Sequence, residues 1–312
     1  MSHLLKTRSD DKTKQNAASP EEQQRKINEV RELLGDLASE MPRFLTDGTI
    51  RRFLRARSWS KEQATKALKE TVKWRRQYRP DKICWDDLAG RENEATRAYL
   101  PDYRDKNGRT VFVIMTSRKS KTSTKEHIRQ LVYNLENMSM DSEDAQEENI
   151  VWMCDFRGWT LSSTPFWETR ESLYIIQNYY PGLIALAVLS NPPKIFESFW
   201  KMREGKKKKK KKQGQKSLFA GVDRSTMAYT VMIKHFLEPK LQEKVKFVYN
   251  NNSESQRIMA DMFDLDKLES AFGGRNTDNF DIIKYAERMR KRDQIRGACT
   301  QENGNTSTYS HD

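Results

Sequence analysis

The chain has 312 residues, of which 36% are hydrophobic and 32% are charged, and its formal net charge at neutral pH is +13. This composition is polar for a globular protein and indicates that sizeable stretches do not contribute to a core. The basic balance points to an anionic partner, either nucleic acid or an acidic membrane surface. The charge is concentrated, because segment 203–232 holds ten basic and two acidic side chains; this net +8 leaves only +5 for the rest.

The first part of the chain reads as a polar leader followed by helices. Residues 1–20 are low in aromatic side chains and are predicted to be disordered. Region 21–80 is predicted to form an N-terminal helical subdomain, because apolar residues recur there at helical spacing. One helix follows Ser19-Pro20, a second follows Thr46 or Asp47, and a third begins at Ser60 and ends at Pro80.

Region 95–290 alternates strand and helix patterns. Short apolar runs at 110–116, 150–156, 183–190 and 244–249 are typical of strands that are covered on both faces. Helical patterns occupy 125–140 and 165–179. This alternation predicts an α/β domain with crossover connections. The tail 297–312 is polar and is again predicted to be disordered.

The sequence lacks the motifs of common enzyme classes. It has no glycine-rich dinucleotide fingerprint and no phosphate-binding loop. Its four histidines are scattered, and Cys154 lies inside an apolar strand, where a core cysteine is expected rather than a nucleophile. We therefore predict a non-enzymatic protein with no catalytic residues, no metal site and no cofactor.

The three cysteines and the hydropathy profile bear on location. Cys84, Cys154 and Cys299 are far apart and odd in number, which favours a reducing compartment over a disulfide framework. No secretory signal and no apolar stretch long enough to cross a bilayer is seen. The expected location is the cytoplasm, with peripheral membrane association.

Several stretches in order carry a resemblance to a known family. They are DGTIRRFLRARSWSKEQATKALKETVKWR (47–75), CDFRGWTLSS (154–163), YIIQNYYPGLIALAVLSNPPKIFESFW (174–200), KHFLEPKLQEKVKFVYNN (234–251) and DLDKLESAFGGRN (264–276). Together they resemble the CRAL-TRIO family, in particular its phosphatidylinositol/phosphatidylcholine-transfer members. The resemblance covers about 25–290.

The resemblance implies both a fold and a function. The fold would be an N-terminal helical subdomain followed by a mixed-sheet lipid-binding domain, whose strands form the floor of an apolar pocket closed by a gate helix. The function would be to bind a single lipid, such as the phospholipid phosphatidylinositol, and to transfer or present it between membranes. The alternative is a lipid-sensing regulatory module without net transfer. The expected partners are phospholipid and, transiently, a membrane surface, with no specific nucleic acid, and the chain is expected to be a monomer.

The same resemblance suggests residues for the lipid headgroup. Arg57, Ser198 and Lys234 match basic or hydroxyl-bearing positions near an inositol phosphate, although Arg57 could instead form a structural salt bridge. Ser162 and Ser163 could bind a lipid phosphate or could cap the helix that starts near Pro165.

Two departures from the family pattern affect that headgroup site. Transfer members often carry a lysine at the position after Arg57, where this chain has Ser58. Phosphoinositide-binding members carry a glutamate directly after Tyr-Pro, where this chain has Gly182.

Aromatic side chains are predicted to line the pocket. The predicted lining residues are Tyr179, Tyr180, Phe196, Phe199 and Trp200. At most one of the two tyrosine hydroxyls is expected to reach the ligand.

The basic segment 203–232 interrupts the family pattern inside the predicted gate helix. Its lysines Lys206 to Lys212 could tether the chain to an anionic membrane or bind nucleic acid without specificity. The third hypothesis is that the segment is a splice variant or an error in the gene model.

Overall fold

The computed structural model describes residues 19–118, 122–143, 145, 147–201, 224–278 and 280–299. Most of the predicted leader, most of the predicted tail and the whole lysine run lie outside the described residues. The chain divides into two compact units, residues 1–70 and 71–312.

The first unit is helical, as the sequence predicts. Its helices are α1 (Pro20–Leu34), α2 (Leu37–Glu40), α3 (Asp47–Ala56) and the first part of α4 (Lys61–Tyr78). Hydroxyl side chains cap the helix starts, since Ser19, Thr46 and Ser60 accept hydrogen bonds from backbone N–H groups three residues later. Buried Ile27 and Phe53 contribute to the apolar interior of this unit.

The second unit combines a sheet with helices. Its helices after α4 are α5 (Arg91–Arg97), α6 (Thr124–Asp141), α7 (Phe166–Tyr179), α8 (Lys194–Lys201), α9 (Arg224–Phe236), α10 (Pro239–Gln242), α11 (Ser253–Met262) and α12 (Ile282–Arg296). Its strands are β1 (Ala98–Tyr99), β2 (Thr110–Met115), β3 (Ile150–Asp155), β4 (Ile184–Ser190) and β5 (Val245–Val248).

The sheet is mixed, as predicted. The strands follow one another in the order β1 to β5; β1 is antiparallel to β2, and the other neighbours are parallel. All four strands predicted from apolar runs are therefore confirmed. Because parallel neighbours need crossover connections, α6 links β2 to β3 and α7 links β3 to β4.

The last helix is attached to the segment before α5 by several contacts. Asp293 of α12 accepts a hydrogen bond from the backbone N–H of Trp85 at 2.6 Å, and Arg290 forms an ion pair with Asp86 at 2.9 Å. A disulfide joins Cys84 to Cys299. The spacing of the cysteines had favoured a reducing compartment over a disulfide framework; this pair departs from that expectation because the fold brings together two residues that are 215 positions apart.

The second half of the predicted insert needs correction. Residues 224–232, assigned to the interruption, form most of α9, and Tyr229 and Met232 are buried there. Likewise, the predicted tail starts too early, since Ala298 is buried and Cys299 is bonded.

Among the helices described here, none is both long and apolar enough to cross a membrane.

Candidate functional site

One face of the sheet forms the floor of a cavity of about 250 Å³ within the second unit. Side chains two residues apart in a strand point to the same face, so alternate residues of the strands reach the cavity. Those residues are Phe112, Ile114, Trp152, Cys154, Ala187, Leu189 and Val245. The floor is thus almost entirely apolar.

Helices α6, α7, α8 and α9 supply the walls. Leu131 of α6, Ile176 of α7 and Ile233 of α9 are apolar wall residues. Phe196 of α8 packs against Phe156 and Trp159, with ring centroids 5.5 and 5.2 Å apart. This aromatic cluster makes one part of the cavity wall apolar.

Tyr229 belongs to the aromatic cluster and shares a hydrogen bond with Thr169 at 3.1 Å. Burial raises the pKa of the Tyr229 hydroxyl, which therefore stays neutral at physiological pH. Burial likewise raises the pKa of the Cys154 thiol to about 12. Because the thiolate is the nucleophilic form, Cys154 is unsuited to covalent catalysis.

The charged side chains of the cavity come in pairs. Arg97 Nε donates to Glu94 Oε2 at 3.0 Å, and both side chains are buried. His127 Nδ1 lies against the carboxylate of Glu168. Both basic side chains therefore lie beside an acidic one.

Two carboxamides complete the polar part of the wall. Gln130 and Asn134 of α6 both line the cavity and are 3% and 0% exposed. Within the part of the chain that the structure describes, neither side chain has a hydrogen-bond partner.

The predicted headgroup residues are not brought together at this cavity. Arg57 ends α3 in the first unit, where its backbone N–H donates to the carbonyl oxygen of Phe53 at 3.0 Å. Ser198 donates to the carbonyl of Lys194 at 3.1 Å, and Lys234 Nζ lies 3.4 Å from the carbonyl oxygen of Trp200. Neither Ser198 nor Lys234 is among the residues that line the cavity.

The two serines after β3 stabilise a turn. Ser163 Oγ donates to the carbonyl of Thr160 at 2.7 Å and accepts from its N–H at 3.2 Å, and Ser162 Oγ is 2.9 Å from Thr160 Oγ1. These hydrogen bonds stay within the short 3-10 turn at 161–163, whose N-cap is Thr160, so the two serines do not cap α7. Phosphate binding by them stays a prediction.

The predicted aromatic lining divides into two groups. Phe196 and Trp200 line the cavity; the side chain of Phe199 lies outside the described part. Tyr179 instead stacks on Trp74 with centroids 4.2 Å apart, and the Tyr180 hydroxyl donates to Glu136 at 2.7 Å. The two tyrosines lie at the end of α7, where they pack into the core rather than the cavity.

The polar wall residues of α6 were not predicted. His127, Gln130, Leu131 and Asn134 have the spacing i, i+3, i+4 and i+7, which places them on one helix face. The prediction of α6 used its apolar residues, most of which lie on a neighbouring face of the helix. A polar stripe at helical spacing in an otherwise buried helix is the signal that could have found them.

The departure at Gly182 has a conformational counterpart. Gly182 has φ +69°, in the left-handed region where residues with a Cβ are strained. A glutamate at this position would be strained in the same turn.

One cluster of potential metal ligands occurs in the described chain, and it is not at the cavity. Cys84, Cys299 and Asp293 lie close together. The two sulfur atoms are bonded to each other, while Asp293 accepts hydrogen bonds from Trp85 and Arg296. These groups serve the attachment of α12.

Comparison with known families finds a match over part of the cavity-containing unit. Residues 94–212 match the family model described as the CRAL/TRIO domain. This match supports the resemblance to the CRAL-TRIO family over that part of the chain. The structural comparison agrees, since the crystal structure of Sfh5 superposes with a TM-score of 0.58 at 12% identity, covering 89% of this chain and 99% of that chain. This likeness confirms the predicted fold class.

Curated relatives include one that is named a phosphatidylinositol transfer protein. The chain is 29% identical over 199 residues to the SEC14 cytosolic factor of Kluyveromyces lactis, covering 58% of this chain and 65% of the relative. It is 27% identical over 164 residues to the phosphatidylinositol transfer protein PDR17 of Saccharomyces cerevisiae, covering 48% and 46%. A CRAL-TRIO domain-containing protein of Schizosaccharomyces pombe is 26% identical over 232 residues, 74% of this chain but 19% of the relative.

The matched part therefore spans between a fifth and about two thirds of these relatives' own length. One of these relatives is named a phosphatidylinositol transfer protein, which is the class of protein that the sequence resemblance indicated.

Proposed function

We propose that this chain binds a single lipid in the cavity above β2 to β5 and carries or presents it between membranes. The observation that carries the proposal is the cavity itself, whose floor is apolar and whose charged wall residues are paired. Acyl chains and rings gain about 0.8 kcal/mol for each CH₂ group removed from water, so such a cavity favours a lipid. The phospholipid phosphatidylinositol is one candidate, supported by the name of the PDR17 relative.

An exposed aromatic cluster supports contact with a membrane during exchange. Phe166 and Trp167 at the start of α7 are 41% and 70% exposed, and Phe236 at the end of α9 is 37% exposed. The guanidinium of Arg170 lies 5.5 Å from the Trp167 ring and 5.2 Å from the Phe236 ring. Aromatic rings beside a basic group suit the interface of an anionic bilayer.

The exposed cluster and the cavity share two helices. Thr169 and Ile176 of α7 and Ile233 of α9 line the cavity, while the exposed rings belong to the same helices. Movement of α7 or α9 at a bilayer would therefore change access to the cavity. This coupling is what a carrier requires in order to exchange its ligand.

Lipid uptake from vesicles tests the proposal. The purified chain is incubated with vesicles of phosphatidylcholine and phosphatidylinositol, separated from them, and its bound lipid is measured by mass spectrometry. The wild-type chain is expected to retain lipid. Ala187→Phe should reduce uptake, because Ala187 lines the cavity floor.

The matched control is Ala185→Phe, in the same strand. Ala185 lines a separate, open depression. Equal uptake by both variants and the wild type would mean that lipid binds elsewhere, and recovery of lipid-free wild type would contradict the proposal. Transfer between donor and acceptor vesicles then separates a carrier from the regulatory module, which would bind lipid without net transfer.

A further inference from the structure

The carboxamide pair of Gln130 and Asn134 stands apart from the rest of the cavity wall. The two residues lie one turn apart on α6 and face the same cavity. Both are more than nine-tenths buried. In the described chain, the oxygen and the nitrogen of each carboxamide lack a hydrogen-bond partner.

Such an arrangement is unfavourable in a protein without ligand. Buried polar groups are nearly always hydrogen-bonded, because leaving a donor or acceptor unsatisfied loses its interaction with water. An apolar side chain of similar size at either position would avoid that cost. The groups face the cavity, so a molecule in the cavity can supply the missing partners.

The charges of the cavity indicate what kind of group this is. Two basic side chains line its described part, and each has an acidic neighbour: Arg97 lies beside Glu94, and His127 lies beside Glu168. Neither pair leaves a surplus positive charge to bind a phosphate directly, so the group that contacts the two carboxamides is expected to be uncharged, because a buried unpaired anion is very costly. A carboxamide offers two N–H donors and an oxygen acceptor, which match a hydroxyl that both donates and accepts.

We infer that Gln130 and Asn134 form a subsite that binds an uncharged hydroxyl group of the lipid. The inference rests on the proposed function and specifies the ligand chemistry of the same cavity. Two kinds of lipid could supply the hydroxyl: an alcohol such as a sterol, or the inositol ring of phosphatidylinositol.

The test uses two pairs of lipids that differ in their hydroxyl groups. In one arm, phosphatidylcholine vesicles contain cholesterol or cholest-5-ene, which lacks the hydroxyl. In the other arm they contain phosphatidylinositol or phosphatidylmethanol, which has the same charge and no headgroup hydroxyl. The lipid retained by the full chain is measured by mass spectrometry.

The wild-type chain is expected to prefer the hydroxyl-bearing member of one pair by about tenfold or more. The responding pair identifies the source as a lipid alcohol or as the inositol ring. The double variant Gln130→Met/Asn134→Leu should lose that preference while it still takes up the hydroxyl-free lipid. The control Gln63→Met/Asn28→Leu makes the same chemical changes at exposed helical positions of the first unit.

Thermal unfolding of the lipid-free proteins separates ligand binding from a structural role. Removing two unsatisfied carboxamides should leave the melting temperature of the double variant equal or higher. A lower melting temperature with unchanged lipid preference would assign the pair a structural role and overturn the inference.

If the wild-type chain takes up lipid but prefers the hydroxyl-bearing member of neither pair, the subsite is overturned and the proposed function is left intact. Failure of the wild type to take up any of the four lipids would overturn both.

Discussion

Arg75 and Glu136 form a bidentate ion pair in the interior of the second unit. The two guanidinium nitrogens donate to the two carboxylate oxygens at 2.7 and 2.9 Å, and the Tyr180 hydroxyl donates to the same carboxylate at 2.7 Å. The pair connects α4 with α6, and both side chains are buried. Removing one member would leave the other charge buried without compensation.

Glu136→Gln is therefore expected to lower the free energy of unfolding by about 3 kcal/mol. The comparison is Asp266→Asn, which breaks an exposed ion pair with Arg275 and should cost no more than about 1 kcal/mol. Denaturant unfolding at neutral pH measures both. Equal, small losses would show that the buried pair contributes little.

The same carboxylate predicts how stability depends on pH. Burial raises the pKa of Glu136, but Arg75 and the Tyr180 hydrogen bond outweigh it, so the pKa lies below the ordinary value of 4.5. Since the folded-state pKa is the lower one, this contribution is present above pH 4.5 and is lost as the pH falls through the folded-state pKa. Unfolding free energies measured down through this range should fall more steeply for wild type than for Glu136→Gln.

The Cys84–Cys299 disulfide should stabilise the attachment of α12. In oxidising buffer, Cys299→Ser is expected to lower the unfolding free energy by about 2–5 kcal/mol, because the bond closes a long loop in the unfolded chain. A reducing agent should bring the wild type to the level of the variant and leave the variant unchanged. Reductant sensitivity that persisted in Cys299→Ser would point to another cause.

Trp167 should contribute to membrane binding. Its ring is 70% exposed, and burying it at a bilayer interface is worth enough to change affinity about tenfold. Trp167→Ala should therefore weaken sedimentation with anionic vesicles. Ile283→Ala removes an equally exposed apolar side chain, 70% exposed on α12, and should have little effect. Similar losses of vesicle binding for both variants would show that the exposed aromatic cluster has no special role in membrane binding.

Lys234 remains a predicted headgroup residue, and its selectivity can be measured. If its ammonium binds the headgroup, Lys234→Met should reduce uptake of phosphatidylinositol about tenfold relative to phosphatidylcholine. Its contact with the Trp200 carbonyl at 3.4 Å would instead make it a structural residue, and then uptake of both lipids should change together. Lys246→Met, at an exposed position of β5, controls for general loss of charge.

The regular elements were predictable because their patterns are local. The runs at 110–116 and 150–156 correspond to strands within one residue, and Ser60 caps α4 as its spacing predicts. Strand β1 was missed because two residues carry no periodicity.

What could not be predicted depends on contacts between distant segments. The disulfide joins residues 215 positions apart, and no local feature marks Cys84 as the partner of Cys299. Similarly, the Tyr180 hydroxyl donates a hydrogen bond to Glu136 in the core. Its place in the sequence just before a pocket strand therefore did not predict that its side chain lies away from the cavity. The ligand-facing role of Asn134 requires knowing that its helix face looks onto a cavity.

Helix α9 starts at Arg224, so its first residues lie inside the segment 203–232 that a shorter splice form would lack. A transcript that excised 203–232 as one block would also delete Tyr229 and Thr230, which close one wall of the cavity. Such a product would need replacement side chains to seal the cavity from solvent. A junction near residue 223 would instead keep Tyr229 and Thr230. The position of the junction would therefore decide whether a shorter form could hold the same ligand as the full chain.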